Sequence, residues 1–166
     1  MAAVVLAVLA ACGGRRPAPP AHPTALSSIG VGECATSEVA GAVSARPVLV
    51  HADRDLGGGP EPERVVADKA MCDEVGNCHW NVFVPSAAPQ GCLRYAGTLS
   101  ASVLEPLDAS GSSGMRDVRA YWTLASGRML VQQYRFSRGG YRVVDALLCK
   151  TAADDRLECA EESARQ

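Results

Sequence analysis

The segment Asp117–Cys149 reads DVRAYWTLASGRMLVQQYRFSRGGYRVVDALLC, and the three runs inside it decide the fold class. Asp117–Leu124, Met129–Phe136 and Tyr141–Cys149 are rich in β-branched, aromatic and alternating apolar residues. Such side chains suit a pleated, half-buried surface. Ser126-Gly127 and Arg138-Gly139-Gly140 separate the runs with turn formers, so the segment reads as three strands joined by tight turns. Working outward, Arg46–Ala52, Arg64–Asp68, His79–Pro85, Leu93–Ser100 and Arg156–Cys159 have the same make-up. Gly57–Pro62, Ser86–Gly91 and Asp108–Gly114 punctuate them as turns or loops. Within His79–Pro85, Trp80, Val82 and Val84 alternate with His79, Asn81 and Phe83, the pattern of a strand with one face in a core. The one helix candidate is Ser37–Ser44, a short segment with Ser37 placed to cap it. Eight short strands predict a mainly β fold: a small antiparallel, disulfide-bonded domain built as a sandwich, a barrel or a propeller-blade-like meander.

Composition narrows this further. The chain has 166 residues, 48% hydrophobic and 20% charged, with a net charge of −2, which fits one domain with appendages. The balance excludes a chain disordered throughout and a whole-chain electrostatic binder of nucleic acid. Only 5% is aromatic, so a core rests on Val, Leu and Ala. Seven cysteines is an odd count, which cannot close entirely into intramolecular disulfides, and so many cysteines in one small chain point to an oxidising compartment.

The N-terminus accounts for the odd cysteine. Met1–Ala11, MAAVVLAVLAA, is an uncharged apolar run ending on small side chains. It is too short for a bilayer core, which needs about 20 helical residues, and matches the apolar region of a signal peptide. Leu9-Ala10-Ala11-Cys12 resembles the lipobox of bacterial lipoproteins. In that family the peptide is cut before the cysteine, whose sulfur receives a diacylglycerol and whose freed amine is usually acylated. No Lys or Arg precedes the run, where the family carries a positive segment; a start codon placed too far downstream would explain it. Gly13–Pro23, GGRRPAPPAHP, suits an extended tether, since proline excludes helix and interior strand. Gly rather than Asp follows the cysteine, so the resemblance implies outer-membrane sorting in a host with two membranes. The expected organisation is a signal peptide over 1–11, a lipidated Cys12 and tether over 12–24, and one β-rich domain over 25–166.

Cys34, Cys72, Cys78, Cys92, Cys149 and Cys159 remain, an even set with 15 possible connectivities for three disulfides. Cys149 and Cys159 flank the turn-rich Ala152-Ala153-Asp154-Asp155 and could face one another across a hairpin. Cys72 and Cys78 enclose CDEVGNC, where Gly76 and Asn77 suit a tight loop. That leaves Cys34 with Cys92. A zinc site through Cys72, Cys78, His79 and Cys92 lacks the usual CxxC spacing.

Val48–Asp68, VLVHADRDLGGGPEPERVVAD, resembles the strand, acidic loop and strand of FG-GAP and VCBS-type repeats, whose loop is commonly DLDGDGxPE. Asp55, Leu56, Gly58, Pro62 and Glu63 match in register, and Val65-Val66-Ala67-Asp68 continue the second strand. The resemblance implies a calcium-type site, with Asp55 and Glu63 as ligands and Asp53 and Glu61 as possible substitutes. Gly57 and Gly59 replace the second and third acids and Pro60 replaces the turn glycine. The chemistry is worn, and the loop reads as kept for geometry. Gly114-Met115-Arg116-Asp117-Val118 resembles the closing Gly-x-x-Asp-Val of such a unit.

Charge is sorted along the chain. His51–Asn77 holds seven acids against three bases, and Asp145–Gln166 holds six against three. Between them, Arg116–Val144 carries Arg116, Arg119, Arg128, Arg135, Arg138 and Arg142 against Asp117 as its one acid. Most aromatic residues lie in this basic segment. Arginine beside aromatics is a common make-up for surfaces that grip anionic polymers or protein partners. The expected binding face is therefore the hairpin around Arg135, Arg138 and Arg142 with Tyr134 and Tyr141. Its partner would be an anionic cell-wall polymer or an envelope protein, with the membrane reached through the lipid.

Catalytic signatures are missing. His22, His51 and His79 stand alone, without a GxSxG elbow, an HExxH zinc motif, a Walker loop or a dinucleotide fingerprint. Ser110–Gly114, SGSSG, resembles a phosphate-cradling loop only in composition. The sequence thus reads as a non-catalytic envelope lipoprotein that binds or scaffolds, without a cofactor unless the acidic loop takes calcium. The alternative is a secreted-type inhibitor, one rigid loop of which plugs the cleft of a protease or cell-wall hydrolase.

Overall fold

The computed structural model describes residues 29–44, 49–52, 54–57, 61–86, 91–111, 113–153 and 156–160. The apolar N-terminal run, Cys12 and the tether lie outside the described residues, as does Asp53. Among the described residues one α-helix, α1 (Ser37–Ser44), precedes nine strands: β1 (Leu49–Ala52), β2 (Arg64–Asp68), β3 (Cys78–Ser86), β4 (Cys92–Ala101), β5 (Val103–Ser110), β6 (Arg116–Thr123), β7 (Arg128–Ser137), β8 (Gly140–Thr151) and β9 (Leu157–Ala160). They form two antiparallel meanders, β1-β2-β3-β4 and β5-β6-β7-β8-β9. Ser102 alone separates β4 from β5, and both its N–H and its Oγ donate to Tyr121 O, at 2.7 and 2.8 Å. The chain thus changes sheet at a hydrogen-bonded corner.

The sheets pack face to face. Trp80, Val82 and Leu99 from the first meet Leu104, Val118, Ala120, Tyr134 and Tyr141 from the second in one buried cluster. The Trp80 indole Nε1 is buried and donates to Ala101 O at 2.9 Å, so its polar atom is satisfied. Leu56 and Met115 belong to the same buried cluster.

A second, smaller core lies on the outer face of the first sheet. Val39 and Val43 of α1 cover Leu49, Val66, Phe83 and Tyr95 there. The simple alternation expected for β3 therefore fails at Phe83, which is fully buried. The physical reason is twofold: α1 lies over that face, and a bulge between Val82 and Phe83 adds Ala96 to β4. Gly97, next to the bulge, sits at φ 106°, a left-handed conformation that glycine adopts without strain. Helix α1 has the expected bounds, but its cap is Thr36 rather than Ser37: Val39 N–H donates to Thr36 Oγ1 at 3.4 Å.

Strand β5 is absent from the sequence expectation, which placed a turn over Asp108–Gly114. Pro106 and the flanking acids Glu105 and Asp108 mask it. Proline is tolerated because β5 is the edge of its sheet, and the register slips between Pro106 and Ser110.

The disulfides join Cys34 to Cys92, Cys72 to Cys78, and Cys149 to Cys159. The first fixes residues 32–35 along the free edge of β4. Gly32 N–H donates to Tyr95 O, Tyr95 N–H to Glu33 O and Ala35 N–H to Leu93 O, at 2.8 to 2.9 Å. An edge that could pair with another chain is closed by the protein's own backbone.

Candidate functional site

The acidic loop turns its carboxylates onto its own backbone. Asp55 Oδ1 accepts from Gly57 N–H at 2.9 Å and Glu63 Oε2 accepts from Leu56 N–H at 3.2 Å. Leu56 is thereby held in the core, while its carbonyl accepts Arg116 N–H at 2.7 Å. Gly57 bridges Met115, 58 positions on, so the loop and the Gly114–Val118 segment lie side by side. At Gly57 (φ 77°) a Cβ would stand 2.8 Å from Gly114 O, which only glycine avoids. Glu61 is exposed and Glu63 buried. Among the described residues no three His, Cys, Asp or Glu side chains are grouped to hold a metal ion.

Burial pushes the Glu63 carboxyl above its ordinary range, against the pull of the Glu63 and Leu56 N–H groups. A raised folded-state value favours the protonated form, so the contribution of Glu63 is largest in acid and declines as pH rises through the carboxylate range. Glu63→Gln keeps an acceptor for Leu56 and removes the buried charge. Its stability relative to the native chain is expected to improve as pH is raised from about 4 to about 7. Glu63→Ala strands the Leu56 N–H and is expected to lower stability by about 1–3 kcal/mol. Urea titrations at the two pH values read both outcomes.

The β7–β8 hairpin corrects the expected binding face. Tyr134 and Tyr141 are 5% and 6% exposed and belong to the core between the sheets. Tyr141 donates to Arg116 O at 3.0 Å, and burial, with Glu63 and Asp117 nearby, pushes its phenol far above the ordinary range. Tyr134 donates to Gln132 Oε1 at 3.2 Å. Strand alternation carries these rings to the inner face, whereas sequence proximity had grouped them with the arginines.

The arginines divide. Arg116 pairs with Asp108, Arg119 with Glu105 and Arg135 with Asp117. Asp117 is 2% exposed; its Oδ2 accepts from Arg135 Nε and Gln133 Nε2, both at 3.2 Å. Arg135 therefore neutralises a buried carboxylate while its side chain remains about half exposed. Arg138 and Gly139 form the two-residue turn, both at positive φ (51° and 82°), with Ser137 paired to Gly140. Arg138 is exposed at the tip, and Arg142, opposite Arg135, is exposed beside it.

His79 and the Cys72–Cys78 loop, both visible in the sequence, make contacts that their spacing did not announce. His79 Nδ1 lies 2.9 Å from Ser100 Oγ, and its ring packs on Trp122 at 5.3 Å, bringing β3, β4 and β6 together at the surface. The Cys72–Cys78 loop is a braced projection. Asp73 Oδ1 accepts from Val75 and Asn77 N–H, and Asn77 Nδ2 donates to Asp73 Oδ2 and to Thr123 O. Thr123 N–H returns a bond to Asn77 Oδ1 at 2.8 Å. Met71 and Val75 stand out from this frame, 64% and 59% exposed.

The fold and these surfaces define a class: a disulfide-stapled, two-sheet antiparallel β domain with one covering helix. Comparison with known protein families, with characterised proteins and with solved structures returns no match.

Proposed function

We propose that this chain is a lipid-anchored protein of the bacterial envelope, sorted to the outer membrane, whose β domain binds or scaffolds without catalysis. The observation that carries the reading is the division of the cysteines. Six pair within the described domain, while the seventh ends a lipobox-like run followed by a proline-rich tether. Three disulfides in so small a domain suit an oxidising compartment. Two acyl chains on one residue hold a protein at a bilayer where a single chain binds only marginally. In this reading the acidic loop serves as a corner piece, its two matching acids each accepting a backbone N–H of the loop.

The contact face in this reading is the cationic end of the β7–β8 hairpin, led by Arg138, and the partner is an anionic cell-wall polymer or an acidic envelope protein. Arg138→Asn removes the charge yet tolerates the positive φ of the turn. It is expected to weaken co-sedimentation with isolated cell wall at low salt and to leave the melting temperature within a few degrees. Unchanged sedimentation removes the hairpin from the binding face.

A second reading is favoured by the braced Cys72–Cys78 loop. A rigid projection with exposed Met71 and Val75 suits insertion into a cleft, as in an inhibitor of a protease or cell-wall hydrolase, because little ordering entropy is lost on binding. A pull-down from envelope extract separates the two, since an inhibitor recovers one enzyme and abolishes its activity.

A further inference from the structure

Strand β8 is paired unequally on its two sides. β7 accompanies it from Gly140 to Lys150, whereas β9 takes only Leu148–Thr151. Among the described residues, 142–147 have no strand along that second side. Arg142, Val143, Val144, Asp145 and Ala146 are all exposed, Val143 and Val144 at 47% and 49%. Alternation in a covered strand would bury every second residue, so five exposed in succession mark a segment open on both faces. An open apolar edge is a template for another strand.

The charges on this edge select the occupant. The β7–β8 register slips between Gln133 and Tyr134, leaving Val144 as the extra residue. Arg142 thus lies opposite Arg135, and Asp145 opposite Gln133. Arg135 and Gln133 both reach Asp117, so they share a face of the sheet, and Arg142 and Asp145 emerge on that same face. Neither Arg142 nor Asp145 forms an ion pair among the described residues. A two-fold axis between Val143 and Val144 would set Arg142 against Asp145 of a second copy, twice, and Val143 against Val144, twice. Cross-strand pairs of opposite charge and of β-branched side chains are the contacts that stabilise an antiparallel pair.

We propose that β8 is a self-pairing edge: two copies of this chain join antiparallel through Arg142–Asp145 and merge their second sheets into one. The pairing stands apart from the lipid anchor. It engages Arg142 with the second copy and leaves Arg138 at each hairpin tip.

The test is a charge-reversal cycle on the full chain in mild detergent, with protein mass read by light scattering over a concentration series. The native chain is expected to form a concentration-dependent dimer. Arg142→Asp sets two acids against each other across the axis, and Asp145→Arg sets two bases, so each is expected to weaken association by about tenfold or more. Mixing the two single variants, or combining both changes in one chain, restores opposite charges and is expected to restore the dimer. A chain ending at Ala160 is expected to associate as the native one does. A native chain that stays monomeric throughout overturns the proposal, as do single reversals that associate normally or a mixture that fails to recover. Association by the shortened chain alone would also overturn it, by assigning the edge to residues 161–166. Arg138→Asn is expected to leave the dimer unchanged, which keeps this result separate from the cell-wall assay.

Discussion

Replacing Cys34 and Cys92 together with serine is expected to lower the unfolding free energy by about 4 kcal/mol, the largest loss among the three bridges. Its span is 58 residues against 10 for Cys149–Cys159 and six for Cys72–Cys78. If the bridge acts by restricting the unfolded chain, the loss grows with the logarithm of the closed loop, to about 4 kcal/mol here and about 2–3 kcal/mol for each short loop. The native state suffers as well, because this bridge pins residues 32–35 to β4 and leads the chain into α1. Urea denaturation of the oxidised protein, followed by the fluorescence of buried Trp80, should place the Cys34/Cys92 variant lowest. Equal losses for all three paired variants would contradict the entropic account. Since small domains hold only about 5–15 kcal/mol in total, the variant should also show an exposed β4 edge as increased aggregation near its midpoint.

Phe83→Ala should destabilise by about 3–5 kcal/mol, the range for removing a fully buried aromatic side chain. This test addresses the second core. Because α1 covers the first sheet, the phenyl ring is enclosed by Val39, Val43 and Val66, packs on Tyr95 at 5.5 Å, and leaves a cavity when removed. Val84, half-buried one residue on, serves as the comparison, and Val84→Ala should have a clearly smaller effect. A Phe83→Ala loss below that of Val84→Ala would mean that the outer face of the first sheet is effectively open and α1 only loosely attached.

These two residues also show what could be read from sequence. The strands around Asp117–Cys149 were legible because period-two patterning and Gly-containing turns coincide there. The short Cys72–Cys78 and Cys149–Cys159 pairings were legible because each cysteine pair brackets a turn; Cys34–Cys92 followed by elimination. Burial of Phe83 was not legible, since its cover comes from a helix some forty residues upstream and its face depends on a bulge. β5 was hidden by Pro106, which an edge strand tolerates and an interior strand does not. At the candidate site, local patterning located the arginine hairpin but not which faces its side chains take. Tyr134 and Tyr141 therefore moved from the expected contact face into the core. The adjacency of the acidic loop and Gly114–Val118 is a long-range contact that two separately recognisable segments could not announce. The open edge at Val143 and Val144 had a visible signal, two β-branched residues between opposite charges, but its exposure depends on the shortness of β9.

Anchoring of the proposed envelope protein depends on lipidation of Cys12. Expression in a bacterial host fed a clickable fatty acid, with in-gel detection of label on the native chain and on Cys12→Ser, tests it directly. The native chain should take up label and fractionate with membranes, and Cys12→Ser should take up none. A Cys12→Ser chain labelled as strongly as the native one, or a native chain left unlabelled with its N-terminal run intact, would contradict the central claim.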